Sequence, residues 1–289
     1  MASGTTETIL TMVHASLFSG IGGFDLAAEW AGWTNAFNCE IDSFCRKVLK
    51  YHFPYAEQYE DIKKSDFSKW RDRIDVLTGG FPCQSFSLAG KRRGTDDDRY
   101  LWPSMLGVIR TVRPRWIVAE NVLGIVNWSK GLVFDTACSD LETNGYEVQP
   151  FIIPACGVGA PHRRDRCWFV AHRADTGIKT MREGKDGLYA DESVAHADGR
   201  RCEECNASEK SSQTQGLSIQ NGNGKRRIPD WYGFPTESPV CDRDDGFPGE
   251  LAGLSFPAWC RESIKACGNA IVPQVALQIF KTIEEYEKQ

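Results

Sequence analysis

Cys83 is the first residue from which chemistry can be argued. It stands in the stretch TGGFPCQSFS, Thr78 to Ser87, directly after Pro82 and close to Gly79 and Gly80. Val76 and Leu77 have the apolar character of a buried strand, and the two glycines are expected to end it. Pro82 fixes φ just ahead of the thiol and stiffens the backbone there. Open α/β sheets bind ligands at the carboxyl ends of their strands, which would set Cys83 on a rigid loop beside a cleft. A buried structural cysteine is the other reading, and is the usual fate of a lone thiol. These residues alone leave both open.

Other groups have matching chemistry. Glu120, in AENV, follows the apolar run Trp116 to Ala119. A carboxyl group in a closed site can have a raised pKa and give up a proton to a substrate; it can equally cap a helix or pair with arginine. In PHRRDRCWFVAH, Arg164 and Arg166 stand two apart, and on a strand they would point the same way. Two aligned guanidiniums suit a phosphate, a carboxylate or a carbonyl. LFSGIGGFDLA carries Gly20, Gly22 and Gly23, which let a backbone approach a ligand closely. Their spacing is not the G-x-G-x-x-G of dinucleotide binders, and no phosphate-cradling lysine follows. Glu40, after a second short strand, is placed to bond ribose hydroxyls. Asp61, in YEDIKK, is placed to accept from an adenine amino group. A nucleoside cofactor without a pyrophosphate follows, and S-adenosyl-L-methionine fits.

The elements that must position these groups alternate. Apolar strands are predicted at 13–18, 36–39, 75–77, 116–119, 148–153 and 167–171, with helical character between them, as in Phe24 to Trp30. Strands alternating with helices predict a parallel sheet covered on both faces, with the chemical groups just past the strand ends. Regular structure returns late, in GNAIVPQVALQIFKTIEEYEKQ, where Val275, Ile279 and Ile283 stand four apart on one helix face. Between them, Ala174 to Asp245 is rich in Gly, Ser, Asp, Asn, Lys and Arg, and reads as a small module or a long insertion that orders on a partner.

Taken in order, FSGIGG, Glu40, EDI, GGFPCQSFS, ENV, RRDR and GNAIVP resemble the DNA (cytosine-5)-methyltransferases over about 10–172 and 266–289. The abbreviated form is similar to phage and prophage solitary enzymes. The resemblance implies a Rossmann-like, S-adenosyl-L-methionine-dependent α/β sheet with a small target-recognition module. The implied domains are a flexible tail at 1–12, a catalytic domain at 13–173 and 262–289, and a recognition module at 174–261. It also answers the question of Cys83, which becomes a nucleophile toward C6 of a cytosine turned out of duplex DNA. Glu120 would protonate ring N3, Arg166 would hold O2, and Arg164 would orient the acid or thiol. The implied cofactor contacts are Phe18, Ser19, Gly20, Ile21, Gly22 and Gly23, then Glu40, Ile41, Asp61, Ile62 and Pro82, and finally Asn269, Ala270 and Ile271. Ser85, Ser87, His162 and Arg163 would face DNA.

Two departures stand out. His162 occupies the place where the family's arginine motif usually begins with glutamine, and GFPTESPVCDRDDGF matches the family poorly. Cys202 and Cys205, with His196 near and Cys241 farther on, have metal-ligand spacing, but no second C-x-x-C follows, so no metal is expected. The residues around Trp231 to Phe234 read as a small core.

Composition narrows the rest. The 11 cysteines show no framework pattern and read as free thiols in a reducing compartment. The formal net charge of −5 excludes a purely electrostatic nucleic-acid binder. It leaves room for local basic clusters at Lys91-Arg92-Arg93, at Arg163 to Arg173, and at Lys225-Arg226-Arg227. No apolar run is long enough to span a membrane, and the N-terminus lacks the pattern of a signal peptide. A cytoplasmic monomer acting on double-stranded DNA is expected, with a cognate restriction endonuclease as a possible partner. Two competing classes are a tRNA cytosine-5 methyltransferase, whose usual Cys-Phe-Thr tripeptide is absent here, and an inactive DNA-binding regulator, which would be expected to have lost Cys83 or Glu120.

Overall fold

The computed structural model describes residues 11–82, 100–174 and 256–288. All of them belong to one compact unit. Its centre is a seven-stranded sheet of order β3-β2-β1-β4-β5-β7-β6. The strands are β1 (Val13–Leu17), β2 (Thr34–Cys39), β3 (Glu57–Tyr59), β4 (Val76–Gly80), β5 (Trp116–Val122), β6 (Tyr146–Pro154) and β7 (Asp165–Arg173). The helices are α1 (Gly23–Ala31), α2 (Ser43–His52), α3 (Trp102–Val112), α4 (Leu132–Thr143), α5 (Phe256–Asn269) and α6 (Pro273–Glu287).

The Rossmann-like α/β class holds, with one correction. The sheet is not wholly parallel, because β7 runs antiparallel to both neighbours, β5 and β6. The connection from β6 to β7 spans only ten residues and contains no α-helix, too little for the crossover a parallel pair needs. β7 therefore turns back and enters the sheet between β5 and β6. It is buried on both faces: Trp168 meets Phe24 of α1 edge-on at 6.0 Å, and Phe169 meets Phe134 of α4 at 5.4 Å.

Three further details differ from the sequence reading. Gly79 and Gly80 are the last two residues of β4, so the strand ends with them rather than before them. A Cβ on Gly79 would come within 3.0 Å of Met105 and one on Gly80 within 3.3 Å of Glu120 Oε2, so these glycines make room for packing. β5 runs on through Glu120 to Val122, because Val122 still pairs with Arg166. β3 and α5 were not predicted: β3 is three mostly polar residues, and α5 begins inside the segment assigned to the recognition module and crosses the boundary expected at 261/262.

Local chemistry fixes the helices. Asp42 caps α2, accepting from the backbone N–H groups of Phe44 and Cys45. The cap starts an amphipathic stretch that buries Phe44, Cys45, Val48 and Leu49. Gly32 ends α1 in the left-handed region at φ 83°. α6 lies against α1. There Phe280 stacks on Trp33 at 4.5 Å, and Glu284 accepts from the Trp33 indole at 2.6 Å.

Asp25 is fully buried in α1, where its carboxyl accepts the Ser16 hydroxyl at 3.0 and 2.9 Å. Burial pushes this carboxyl from 3.8 up to about 7 despite that bond. The folded state thus keeps a proton that the unfolded state releases, so this group lowers stability as pH rises from 3.8 to about 7, and by a constant amount above that. Asp25→Asn keeps an oxygen acceptor for Ser16 and removes the ionisation. It is expected to raise the melting temperature at pH 8 clearly more than at pH 5. Equal changes at both values in thermal unfolding would rule this account out.

Candidate active site

The carboxyl ends of β1 to β5 open into a cavity of about 570 Å3. Phe18 and Gly20 reach it from the end of β1, Glu40 and Ile41 from β2, and Asp61 and Ile62 from β3. Pro82 closes it beyond β4, and Asn269 comes from the far end of the chain on α5. Glu40 shapes this rim. Its Oε2 accepts from Gly20 N–H at 2.7 Å and its Oε1 from Asp42 N–H at 2.8 Å. Gly20 takes φ 54°, and a Cβ there would meet nothing within 4 Å, so the loop leaves open space above it. Backbone donation from Lys63 holds the Asp61 carboxyl below the usual range, with Lys64 adding to the effect. Ile41 is 68% exposed at the mouth.

The other sequence-predicted cofactor residues do not line the cavity. Ser19 is buried and accepts from Cys39 N–H at 3.1 Å. Ile21 packs with Phe44, Cys45, Val48 and Ala266. A Cβ on Gly22 would fall 2.4 Å from Phe53, and one on Gly23 2.7 Å from Ile271. Gly22 also has φ 87°. These two glycines serve close packing of the loop, and Gly20 alone of the three faces the cavity. The Ala270 carbonyl is taken by Arg164.

Glu120 lines the same cavity from β5, at the side nearest Phe81 and Pro82. Its Oε1 lies 2.8 Å from Arg166 Nε, and the two side chains are 12% and 21% exposed. Burial raises the Glu120 carboxyl above its ordinary value, opposed by the charges of Arg166 and Arg164. Asn121, the next residue, donates to the Phe81 carbonyl at 2.9 Å and so fixes the end of the strand that leads to Cys83. Cys83, Ser85 and Ser87 lie outside the described residues.

Arg164 departs from the expected arrangement. It precedes β7, with φ 40°, so strand alternation does not align it with Arg166. Its Nη2 instead donates to the carbonyls of Gly268 at 3.1 Å and Ala270 at 2.7 Å, and ties the turn between α5 and α6 to the site. His162 and Arg163 are exposed on the same connection, where Arg163 pairs with Asp165 at 2.9 Å.

Sequence reasoning missed the wall made by α5. Glu262, Lys265, Ala266 and Asn269 all line the cavity. Their spacing of three and four is the signature of one helix face, but the polar stretch before them masked it. Lys265 reaches Asp42 at 2.9 Å. Cys39 and Cys45 also line the cavity, and burial pushes both thiols up to about 12, so they remain protonated. The seven described cysteines are all unbridged. Among the described residues no cluster of ligands could hold a metal, and the cysteine pair at 202 and 205 lies outside them.

The family model for C-5 cytosine-specific DNA methylase matches residues 12–238. The chain belongs to this family. Type II methyltransferase M.Eco47II of Escherichia coli is 36% identical over 162 residues, which cover 55% of this chain and 39% of that protein. Type II methyltransferase M.AquIA of a Picosynechococcus strain is 37% identical over 175 residues, covering 55% of this chain and 71% of that one. The match thus spans well under half of the first relative and most of the second. The crystal structure of a DNA modification methyltransferase encoded within an E. coli prophage superposes with a TM-score of 0.50 at 26% identity, covering 58% of this chain and 49% of that one. A Spodoptera frugiperda DNMT2 variant shares the fold, with a TM-score of 0.50 at 24% identity over 61% of this chain and 54% of that one.

The cofactor of this cytosine-5 methylase chain is S-adenosyl-L-methionine. The cavity fits it: open space above Gly20, an acid at Glu40 beside the loop, a second acid at Asp61, and apolar surfaces from Phe18, Ile41 and Ile62.

The buried ion pair can be tested directly. Arg166→Gln leaves the Glu120 carboxylate without its charge partner and is expected to cost on the order of 3 kcal/mol of stability at pH 8. The cost is expected to shrink as pH falls toward 5, because burial raises the proton affinity of this carboxyl and a proton removes the unpaired charge. Adding Glu120→Gln to the same chain is expected to restore most of the loss. Denaturant unfolding at the two pH values measures all three outcomes.

Proposed function

We propose that this chain transfers a methyl group to C5 of cytosine within a specific double-stranded DNA sequence, through a covalent bond between Cys83 and C6. The observation that carries the reading is the Glu120–Arg166 pair, buried in the cavity beside the strand that leads to Pro82. A carboxyl with raised proton affinity, backed by a guanidinium, suits the N3–C4 edge and the O2 of a cytosine turned out of the helix.

The residues would act as follows. The Cys83 thiolate adds to C6, forming a C–S bond and making C5 enamine-like. Glu120 gives its proton to N3 as electrons enter the ring. Arg166 holds the carboxyl and donates to O2. S-adenosyl-L-methionine, when bound, supplies an electrophilic methyl on its sulfonium, and the residues that would hold it are Phe18, Gly20, Glu40, Ile41, Asp61, Ile62, Pro82 and Asn269. C5 would take the methyl as the bond to the sulfonium breaks, leaving the neutral thioether S-adenosyl-L-homocysteine, and C5 then loses its proton to a base. The C6–S bond breaks, returning the thiolate, and N3 returns its proton to Glu120. A free thiol of pKa ~8.5 is only a few per cent ionised near neutral pH, so the site must lower it.

Arg164 acts as a positioning residue, since it binds the turn that carries Asn269 and Ala270. His162, Arg163, Ser85 and Ser87 would meet the duplex, and residues 174–261 would read base edges. A Type II setting, as in the names of the relatives, would add a restriction endonuclease as partner. His162→Gln is expected to retain most activity in a tritium-transfer assay, because either side chain offers a donor and an acceptor. A loss as deep as that of Arg166→Ala would give the histidine a chemical role of its own.

The decisive test is a trap. Duplex DNA with 5-fluorocytosine at the target cannot lose a C5 proton, so the enzyme should stay bound through denaturation, and only when S-adenosyl-L-methionine is present. Cys83→Ser should form no adduct yet bind DNA, since a hydroxyl is hardly ionised at neutral pH. An adduct mapped to Cys156 or Cys167, or an active Cys83→Ser protein, would end this assignment.

A further inference from the structure

A second cavity, of about 390 Å3, lies at the opposite edge of the sheet, where β6 begins and β7 ends. Arg110, Arg113 and Arg173 line it, with Asn144 and the backbone of Gly145 between them. Among the described residues that line it, none is acidic. Main-chain bonds gather this region: Asp72 N–H donates to the Val112 carbonyl at 2.8 Å, and Arg173 N–H to the Arg115 carbonyl at 2.9 Å. The end of α3, the approach to β4 and the end of β7 therefore form one surface. Arg71 and Arg73 sit on the approach to β4 and Arg115 just beyond α3, in a chain whose formal net charge is −5.

The Arg110 and Arg173 guanidiniums are held in place. Arg110 Nε donates to Asn144 Oδ1 at 2.9 Å, and Arg173 Nη1 donates to the Arg113 carbonyl at 2.9 Å and to Asp72 Oδ1 at 3.2 Å. Arg115 is turned toward Asp75 and Glu287. A guanidinium carries five N–H donors in a rigid fork, so a fixed partner orients it rather than exhausting it. The backbone here is strained as well. Arg113 caps α3 at φ 54°, and Asp72, bonded to the residue before it, has φ 55°. Glycine is the residue that ordinarily takes such a cap, and strained non-glycine positions gather at ligand clamps.

We propose that this cavity binds a phosphate group. Arginine forks that line one cavity match the oxygens of a tetrahedral oxyanion, and the site is separate from the cofactor cavity, so it stands whether or not the methyl-transfer reading does. The phosphate belongs either to a DNA backbone or to a free phosphorylated molecule.

The test uses the full chain and the double variant Arg110→Gln/Arg113→Gly, whose glycine suits the left-handed cap. Pyrophosphate titration by calorimetry reads the free-anion source. The salt dependence of binding to a cytosine-free duplex reads the DNA source. If the site holds free phosphate, the wild type binds pyrophosphate and the variant loses about tenfold or more in affinity. If it holds a DNA backbone, the slope of log affinity against log salt falls by about 2 in the variant, one for each lost contact. Either result supports the site. An unchanged slope together with unchanged or undetectable pyrophosphate binding overturns it. Melting temperature and S-adenosyl-L-methionine affinity are expected to match the wild type. Should the double variant melt early, Arg110→Gln alone is read in the same way, with a slope change of about 1.

Discussion

A carboxylate held in a nearly closed site needs a charge partner that arrives at a fixed place, and the pairing of Glu120 with Arg166 depends on this. The partner is delivered by β7, which enters the sheet against the direction of its neighbours. Running antiparallel, β7 starts at the end of the sheet where β5 finishes, and sets Arg166 opposite Val122, two residues beyond Glu120. A parallel strand in that position would begin at the other end, and the guanidinium would lie a strand length away. Gly80 leaves room for the same pair, since a Cβ there would lie 3.3 Å from Glu120 Oε2 and crowd the carboxylate.

The cavity has a second constraint, at the glycine loop. Glu40 takes the Gly20 N–H, Ser19 takes the Cys39 N–H, and the Ser16 hydroxyl reaches both Ser19 and Asp25. Beneath the loop, side chains thus join β1, β2 and α1 in addition to the ladder bonds between β1 and β2. The loop is held from below, and the space above Gly20 stays clear.

Much of this was legible in the sequence. Each predicted strand was found, because apolar runs ending at an acid or a glycine signal a buried strand and its carboxyl end. Glu40 and Glu120 stand at the ends of such runs and line the cavity, whereas Asp61 lines it from the end of β3, a strand the sequence did not signal. What escaped was long-range. The reversal of β7 follows from a short connection that carries no local signature of direction. The α5 wall is spelled by residues three and four apart, but Ala174 to Asp245 before it is so polar that the periodicity was hard to see. The roles of Gly22 and Gly23 depend on Phe53 and Ile271, distant residues that a motif cannot name. Arg164 was expected to align with Arg166 if the two lay on a strand, yet its positive φ turns it toward carbonyls more than a hundred positions away.

The wall contributed by α5 bears on how the molecule comes into being. Lys265 and Asp42, which meet across the cavity rim, are 223 positions apart. Closing so long a loop costs entropy that grows only logarithmically with length, so the distance is a modest thermodynamic burden. It is a larger kinetic one, because contacts this remote slow folding. During synthesis the strands from β1 to β7 can pair as they emerge, but the cavity has no far side until the helix beginning at Phe256 has left the ribosome. The pocket is therefore assembled last, from residues between Phe18 and Val122 and a segment made more than a hundred residues later.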